Sequence, residues 1–363
     1  MADAWVNLAT KSTSDTVAAA DPNTLMENIR VVGGNGTSAP SSDIETLSTA
    51  NNYIINGAMQ VAQEQTTVNL TGTQDDYVCD NFKFSQLLSA GECTVSQSTE
   101  APDGFYYSSK VDITQIDASI AIGEFAHFTA FVEGFNYASI KDKEVTRGFW
   151  VRSAKTGTFC VSVMNNGSDR SYVSDITISV ADTWEYKTVT ITLDQTVGTE
   201  DYTTGIGIQL LFTLACGSTF QTTADAWQTG EFYASANQDN WFDHVDNDFY
   251  ITGAQLNLGS TALPFQHEDI ATVLAKCQRY YEITTFDILS PVNALNDVIG
   301  GWCFYVVTKR TDVAPAFSAH SGTAVGVAQN VIHNIYGCQV YYFATGANVA
   351  AEGRDTVTTD ARF

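Results

Sequence analysis

The sequence predicts a mainly β chain: a jelly-roll-like β-sandwich preceded by a short N-terminal helical arm and followed by a smaller C-terminal β domain. Three observations predict it. Of 363 residues only 17 are Lys or Arg and six are Pro, while Phe (20), Tyr (16) and β-branched residues abound, and these side chains fit a pleated, half-buried surface. Strand-like runs alternate with turn signals from residue 51 onward, at Phe149–Val151, Thr158–Val163, Tyr172–Val180, Trp184–Leu193, Ile206–Leu214 and Phe249–Leu258. Within Glu185–Leu193 the alternation is strict: Val189, Ile191 and Leu193 share one face, with Thr188, Thr190 and Thr192 opposite.

Residues 1–50 are small and polar and read as an arm. Its one apolar-periodic stretch follows Asp21-Pro22, where Asp can cap a helix and Pro suits its first position. Leu25, Met26 and Ile29 share a face and Gly33-Gly34 ends the run. A helix this short is marginal alone, so its stripe needs a partner, either its own copies or another protein. Residues 51–267 form the expected sandwich, with a tight turn at Asn166-Gly167 in which the glycine takes the positive φ. Trp150 and Trp184 are placed in its core. Arg152 and Arg170, scarce cations on strands, are expected to fork onto carboxylates such as Glu185 or Asp169. Residues 268–363 open on a helical spacing (Ile270, Val273, Leu274, Cys277) and continue as a smaller β domain, with Trp302–Val307, Tyr336 and Val340–Phe343 supplying its apolar strands.

Composition excludes several functions. The charge of −24 and pI near 4.3 repel phosphates and anionic lipid, so neither nucleic acid nor membrane is an expected partner. There is no apolar run long enough to span a bilayer and no basic segment followed by an apolar one at the N-terminus, so the expectation is a chain made in the cytoplasm without a signal peptide. The seven cysteines (79, 93, 160, 216, 277, 303 and 338) show no CxxC spacing and are odd in number; they read as buried thiols. GxSxG, HExxH, Walker and GxGxxG motifs are absent, and Gly205-Ile206-Gly207 lies in a strand-like run. Histidines 127, 244, 267, 320 and 333 are dispersed. No catalytic residue is assigned. The one cofactor with a candidate site is Ca²⁺, at Asp239, Asp243, Asp246 and Asp248, whose oxygens suit a hard cation; an EF-hand's sixth-position Gly and closing Glu are missing, and the competing reading is a solvated acidic loop.

Several phrases occur in a fixed order: Asn52–Met59 (NYIINGAM) with Gln63, Tyr77 with Asp80, Ser108–Val111, Glu133-Gly134, Phe149–Thr158 (FWVRSAKTGT), Arg170–Val173, Thr183–Thr188 (TWEYKT), Phe249–Leu256 (FYITGAQL), Pro264-Phe265 and Cys277–Tyr281 (CQRYY). Over residues 51–320 this order resembles the carbohydrate-binding-module-like sandwiches of bacteriophage and prophage tail-fibre and other virion structural proteins. Asn81-Phe82 stands where that family usually shows Arg-Trp, and residues 238–248 are unusually acidic. The resemblance implies a non-enzymatic structural component of a phage particle, a tail fibre or a head fibre or decoration protein, located in the virion. It further implies a homotrimer, attachment to other virion proteins through residues 1–50, and contact with host-surface polysaccharide. Trp227, Tyr233 and Trp241, in polar and turn-rich surroundings, are the rings proposed to stack on sugars; the competing reading is that they pack in a core or interface. The alternatives are a carbohydrate-active depolymerase and a prophage-encoded glycan-binding module.

Overall fold

The computed structural model describes residues 52–363 apart from 195, 197, 324, 327–328 and 347–348. The expected helix carrying Leu25, Met26 and Ile29 lies outside the described residues. Residues 51–363 make one compact unit, mainly of antiparallel strands.

The first part comprises β1 (Thr67–Cys79), β2 (Phe82–Ser98), β3 (Ser108–Gln115), β4 (Phe125–Glu133), β5 (Glu144–Arg152), β6 (Gly157–Asn165), β7 (Arg170–Ile178), β8 (Glu185–Thr192), β9 (Ile206–Cys216), β10 (Gln221–Thr222), β11 (Trp227–Thr229), β12 (Ala234–Ser235) and β13 (Asp248–Leu258). Pairing runs β11-β7-β6-β9-β4-β2-β3-β13-β5-β8, with β1 along β2. The path doubles back at β2, whose first half (Phe82–Leu87) pairs with β4 and second half (Glu92–Ser98) with β3. The sheet therefore divides into two layers that close face to face. Sequence shows where. Inward positions are even-numbered to Leu88 and odd-numbered from Gly91, so Ser89-Ala90 shifts the alternation by one residue. Glu124 and Asp117 accept hydrogen bonds from the Ser89 and Ala90 amides, and a Cβ on Gly91 would lie 2.6 Å from Leu88 Cδ1.

Aromatic rings from both layers fill the space between them. Phe149 of β5 meets Phe212 of β9 edge-on at 5.0 Å, and Phe159 of β6 meets Phe249 of β13 at 5.2 Å. Such pairs add about 0.5–1.5 kcal/mol beyond the area they bury. β8 keeps its expected alternation, with Val189 and Ile191 turned to the core and the threonines exposed. All seven cysteines are buried free thiols.

Three local expectations are corrected. Trp150 and Trp184 are half-buried outside the core: Phe149 and Val151 point inward, so Trp150 between them must face outward, where it packs on Tyr186 (5.3 Å) while Trp184 meets Tyr250. The β6–β7 hairpin forms, yet Ser168 takes the left-handed conformation (φ 53°); Gly167 is needed because a Cβ would lie 2.4 Å from that of Thr199. Arg152 pairs with Glu100 and Asp182 and Arg170 with Asp194, while Glu185 pairs with Lys187 and Asp169 accepts from Asn165 and Thr199.

Two short helices follow or interrupt the strands, α1 (Gly134–Tyr137) and α2 (Ile270–Gln278), the second capped by Asp269, whose side chain accepts from Ala271 N. The remaining strands are β14 (Tyr281–Val292), β15 (Val298–Phe304), β16 (Ala316–Thr323), β17 (Gln329–Asn334), β18 (Gly337–Phe343) and β19 (Val349–Asp360). They form two three-stranded sheets, β14-β19-β16 and β15-β18-β17, around a core of their own that includes Phe286, Ile299, Val340, Tyr342 and Val357. A Lys309–Glu282 ion pair lies wholly inside this part.

Many of the ordered phrases meet where these β14–β19 sheets join the sandwich. Glu133, 3% exposed, accepts from Arg279 Nε (2.9 Å) and Nη2 (2.6 Å) and from the Tyr280 hydroxyl (2.7 Å). Asp80 accepts from the backbone and side chain of Gln63, whose amide also donates to Tyr281 O. Tyr77 donates to Phe363 O, and Arg310 donates to Thr204 O and Ala361 O. Asn81 takes φ 67° at the β1–β2 turn, a conformation asparagine tolerates, and Phe82 enters the core.

Candidate functional site

The sheet β15-β18-β17 carries apolar residues on both faces. Ile299 and Cys303 of β15 and Cys338, Val340 and Tyr342 of β18 turn to the core; Val298, Trp302 and Phe304 turn to solvent at 60%, 43% and 71% exposure. Register places Val298 opposite Phe343, Gly300 opposite Tyr341 and Trp302 opposite Gln339, so Tyr341, Phe343 and Gln339 share the outer face. Gly300 permits this: a Cβ there would stand 2.6 Å from Tyr341 Cβ. Trp302 and Phe304 lie 6.2 Å apart with rings tilted by only 18°, and Tyr341 meets Phe343 edge-on at 5.6 Å. Tyr336, in the β17–β18 turn, is also exposed.

This face is set apart by charge as well as by rings. Residues 298–308 and 313–351 contain no Asp, Glu, Lys or Arg, in a chain with 41 acids. Flat rings with an amide and a phenol nearby can stack on an apolar ligand face and hydrogen-bond its hydroxyls. The sequence held a signal for this site that a search for polar clusters passes over: β15 is apolar at both odd and even positions, so one set must face away from the core.

The rings expected to bind sugar are elsewhere and do not converge. Trp241 is fully buried, donating its Nε1–H to Ser153 Oγ (2.9 Å) and packing between Phe159 and Phe249; the expectation that it presents a ring to solvent is corrected. Tyr233 is 6% exposed, stacked on Phe220 at 4.6 Å with its hydroxyl on Glu231. Trp227 is half-buried at the rim, packed on Tyr172, and its Nε1–H donates to Thr192 O at the end of β8, tying the two layers together.

The four carboxylates read as a Ca²⁺ set are likewise dispersed. Asp239 accepts from Thr158 N, Asp243 from Lys155 and Asn247, and Asp248 from Ala154 N, while Asp246 is solvent-exposed. Each holds a different turn. Among the described residues no group of three or more His, Cys, Asp or Glu is placed to hold a metal ion.

His127 shows what burial does to a polar side chain here. On β4 it stacks on Phe125 (5.2 Å, 17°) and meets Tyr233 (4.9 Å) under the 217–238 segment, with Nδ1 beside Thr129 Oγ1. Burial, and then the Lys83 charge, push its pKa down from 6.5 to about 3. Between those values the unfolded chain binds the extra proton, so the stability due to neutral His127 is complete above pH 6.5 and is lost as pH falls toward 3. His127→Phe is expected to reduce the slope of unfolding free energy against pH by about 1.4 kcal/mol per unit between about pH 6 and 4, measured by urea titration.

No protein-family model and no curated protein matches the chain. Solved structures do. The enzymatically active domain of tailspike protein 4 of bacteriophage CBA120 aligns over 57% of this chain and 21% of its own, at 13% identity and TM-score 0.29. A family 11 carbohydrate-binding module from Clostridium thermocellum, in complex with a mixed-linked tetrasaccharide, aligns over 55% of this chain and all of its own, at 9% identity and TM-score 0.30. The CBM22-1 xylan-binding domain of Paenibacillus barcinonensis Xyn10C aligns over 59% and 96%, at 8% identity and TM-score 0.28. The match spans about a fifth of the tailspike chain. Among the described residues no helix is long and apolar enough to cross a membrane.

Proposed function

We propose that this chain is a non-catalytic virion protein that binds host-surface glycans, and that it does so through the outer face of β15 and β18. The observation that carries the glycan reading is the solvent-facing, uncharged set Trp302, Phe304, Tyr341 and Phe343. A neutral sugar loses little by approaching it, whereas an acidic surface elsewhere on the chain would hold back anionic partners. The virion role is supported by the ordered phrases from Asn52 to Tyr281 and their resemblance to phage structural modules. In that role residues 1–50 attach the protein to the particle and the assembly is a homotrimer, which sedimentation equilibrium of the full chain tests.

A glycan array followed by titration calorimetry tests the binding site. Trp302→Ala and Phe304→Ala are each expected to weaken glycan binding about tenfold, equivalent to about 1.4 kcal/mol. As surface changes, they shift stability by no more than about 0.5 kcal/mol. Unchanged affinity in both variants would move the site off this sheet. Release of reducing sugar by the wild-type protein would replace the binding reading with a depolymerase.

A further inference from the structure

Arg147 breaks the pattern of its strand. Val145, Phe149 and Val151 of β5 point into the sandwich, and Arg147 points with them. It is 3% exposed, and its register partners Val189 and Leu256 are apolar. The guanidinium lies 3.7 Å from the centre of the Phe212 ring and donates through Nη1 to two carbonyls across the core, Leu211 O at 2.9 Å and Ser162 O at 3.4 Å. Nε and Nη2 have no hydrogen-bond partner among the described residues. Among the described residues no carboxylate pairs with Arg147, although the chain carries 41 acids.

A cavity adjoins Arg147. Val161, Val163, Tyr172, Ser174, Val189, Ile191 and Leu256 complete its walls, and the cavity volume is about 10 Å³. Tyr172 and Ser174 come from β7, and Val189 and Ile191 from β8; these strands lie in different layers and do not pair with one another. The cavity thus sits inside the sandwich, near the side where the layers meet without backbone hydrogen bonds.

We propose that this cavity is a binding site for a single halide ion held by Arg147. An unpaired buried cation carries a solvation penalty that one ring face and two carbonyls offset only in part, and an opposite charge would offset the rest. Neutral water would fill donors without cancelling the charge. Polyatomic anions need more room and more donors than these walls give. A halide needs only one or two N–H groups, tolerates apolar neighbours, and fits a space of atomic size. Ring contact with Phe212 then holds the guanidinium plane while its free N–H groups face the ion.

The test compares the full chain and Arg147→Met by urea titration in sodium bromide and in sodium gluconate at equal ionic strength. Wild type is expected to gain a tenfold larger folding constant for each decade of bromide above its dissociation constant, and Arg147→Met to show no difference between the salts. Crystals of wild type soaked in bromide should give an anomalous peak within hydrogen-bonding reach of Arg147 Nε or Nη2. That measurement stands even where the variant does not fold. An ordered water in place of the peak, or equal wild-type stability in the two salts, overturns the proposal.

Discussion

Trp241→Ala is expected to lower the unfolding free energy by about 3–5 kcal/mol. The ring is wholly buried between Phe159 and Phe249, so truncation leaves a cavity lined by rigid aromatics that cannot collapse into it. It also removes one of the two donors to the Ser153 hydroxyl, which still accepts from Lys155 N and donates to Asp248 O. Chemical denaturation followed by fluorescence reads the loss directly. Beside it, Trp302→Ala should leave the midpoint almost unchanged while weakening glycan binding. One tryptophan would thereby be assigned to stability and the other to recognition, and a comparable loss of stability in both would contradict the exposure of Trp302.

A second large effect is expected at Lys309. Its ammonium and the Glu282 carboxylate are both excluded from solvent; Lys309 also donates to Gln278 O, and Glu282 accepts from Val306 N. Lys309→Met removes the cation and leaves Glu282 buried without its counter-charge, at a cost of about 3–5 kcal/mol. The double variant Glu282→Gln/Lys309→Met is expected to recover most of that loss, because the amide keeps the Val306 hydrogen bond and no isolated charge remains. Urea titrations of the three proteins decide it. A double variant no more stable than Lys309→Met would mean that the ion pair itself, and not the stranded carboxylate, sets the stability of the β14–β19 sheets.

Legibility in the sequence followed the range of the interaction. The alternation of Val189 and Ile191 with threonines, the helical spacing of Ile270, Val273 and Cys277, and the hairpin at Asn166-Gly167 are local, and each formed. The outward position of Trp150 is legible in its parity against Phe149 and Val151, whereas the size of its ring points to the core. Arg147 could have been noticed by the same parity, as a charge on an inward row. The acidic segment misled for a different reason. Asp239, Asp243 and Asp248 are close in sequence, but the chain turns between them and each carboxylate is taken by a donor from residues 154–158 or by Asn247. Glu133, Asp80 and Tyr280 were legible as members of ordered phrases, while their meeting at one junction depends on contacts across about 150 to 220 positions, which no local pattern reports.

The path of β2 through both layers has a mechanical consequence. Tension along β1 and β2 would load the backbone hydrogen bonds to β4 and β3 in shear, so neither layer could be pulled from the other by separating side chains alone. The weaker side lies opposite, where β7 and β8 face one another and the Trp227–Thr192 hydrogen bond spans the gap. Under tension the protein would open there first, like a clasp, with the β2 spine still closed.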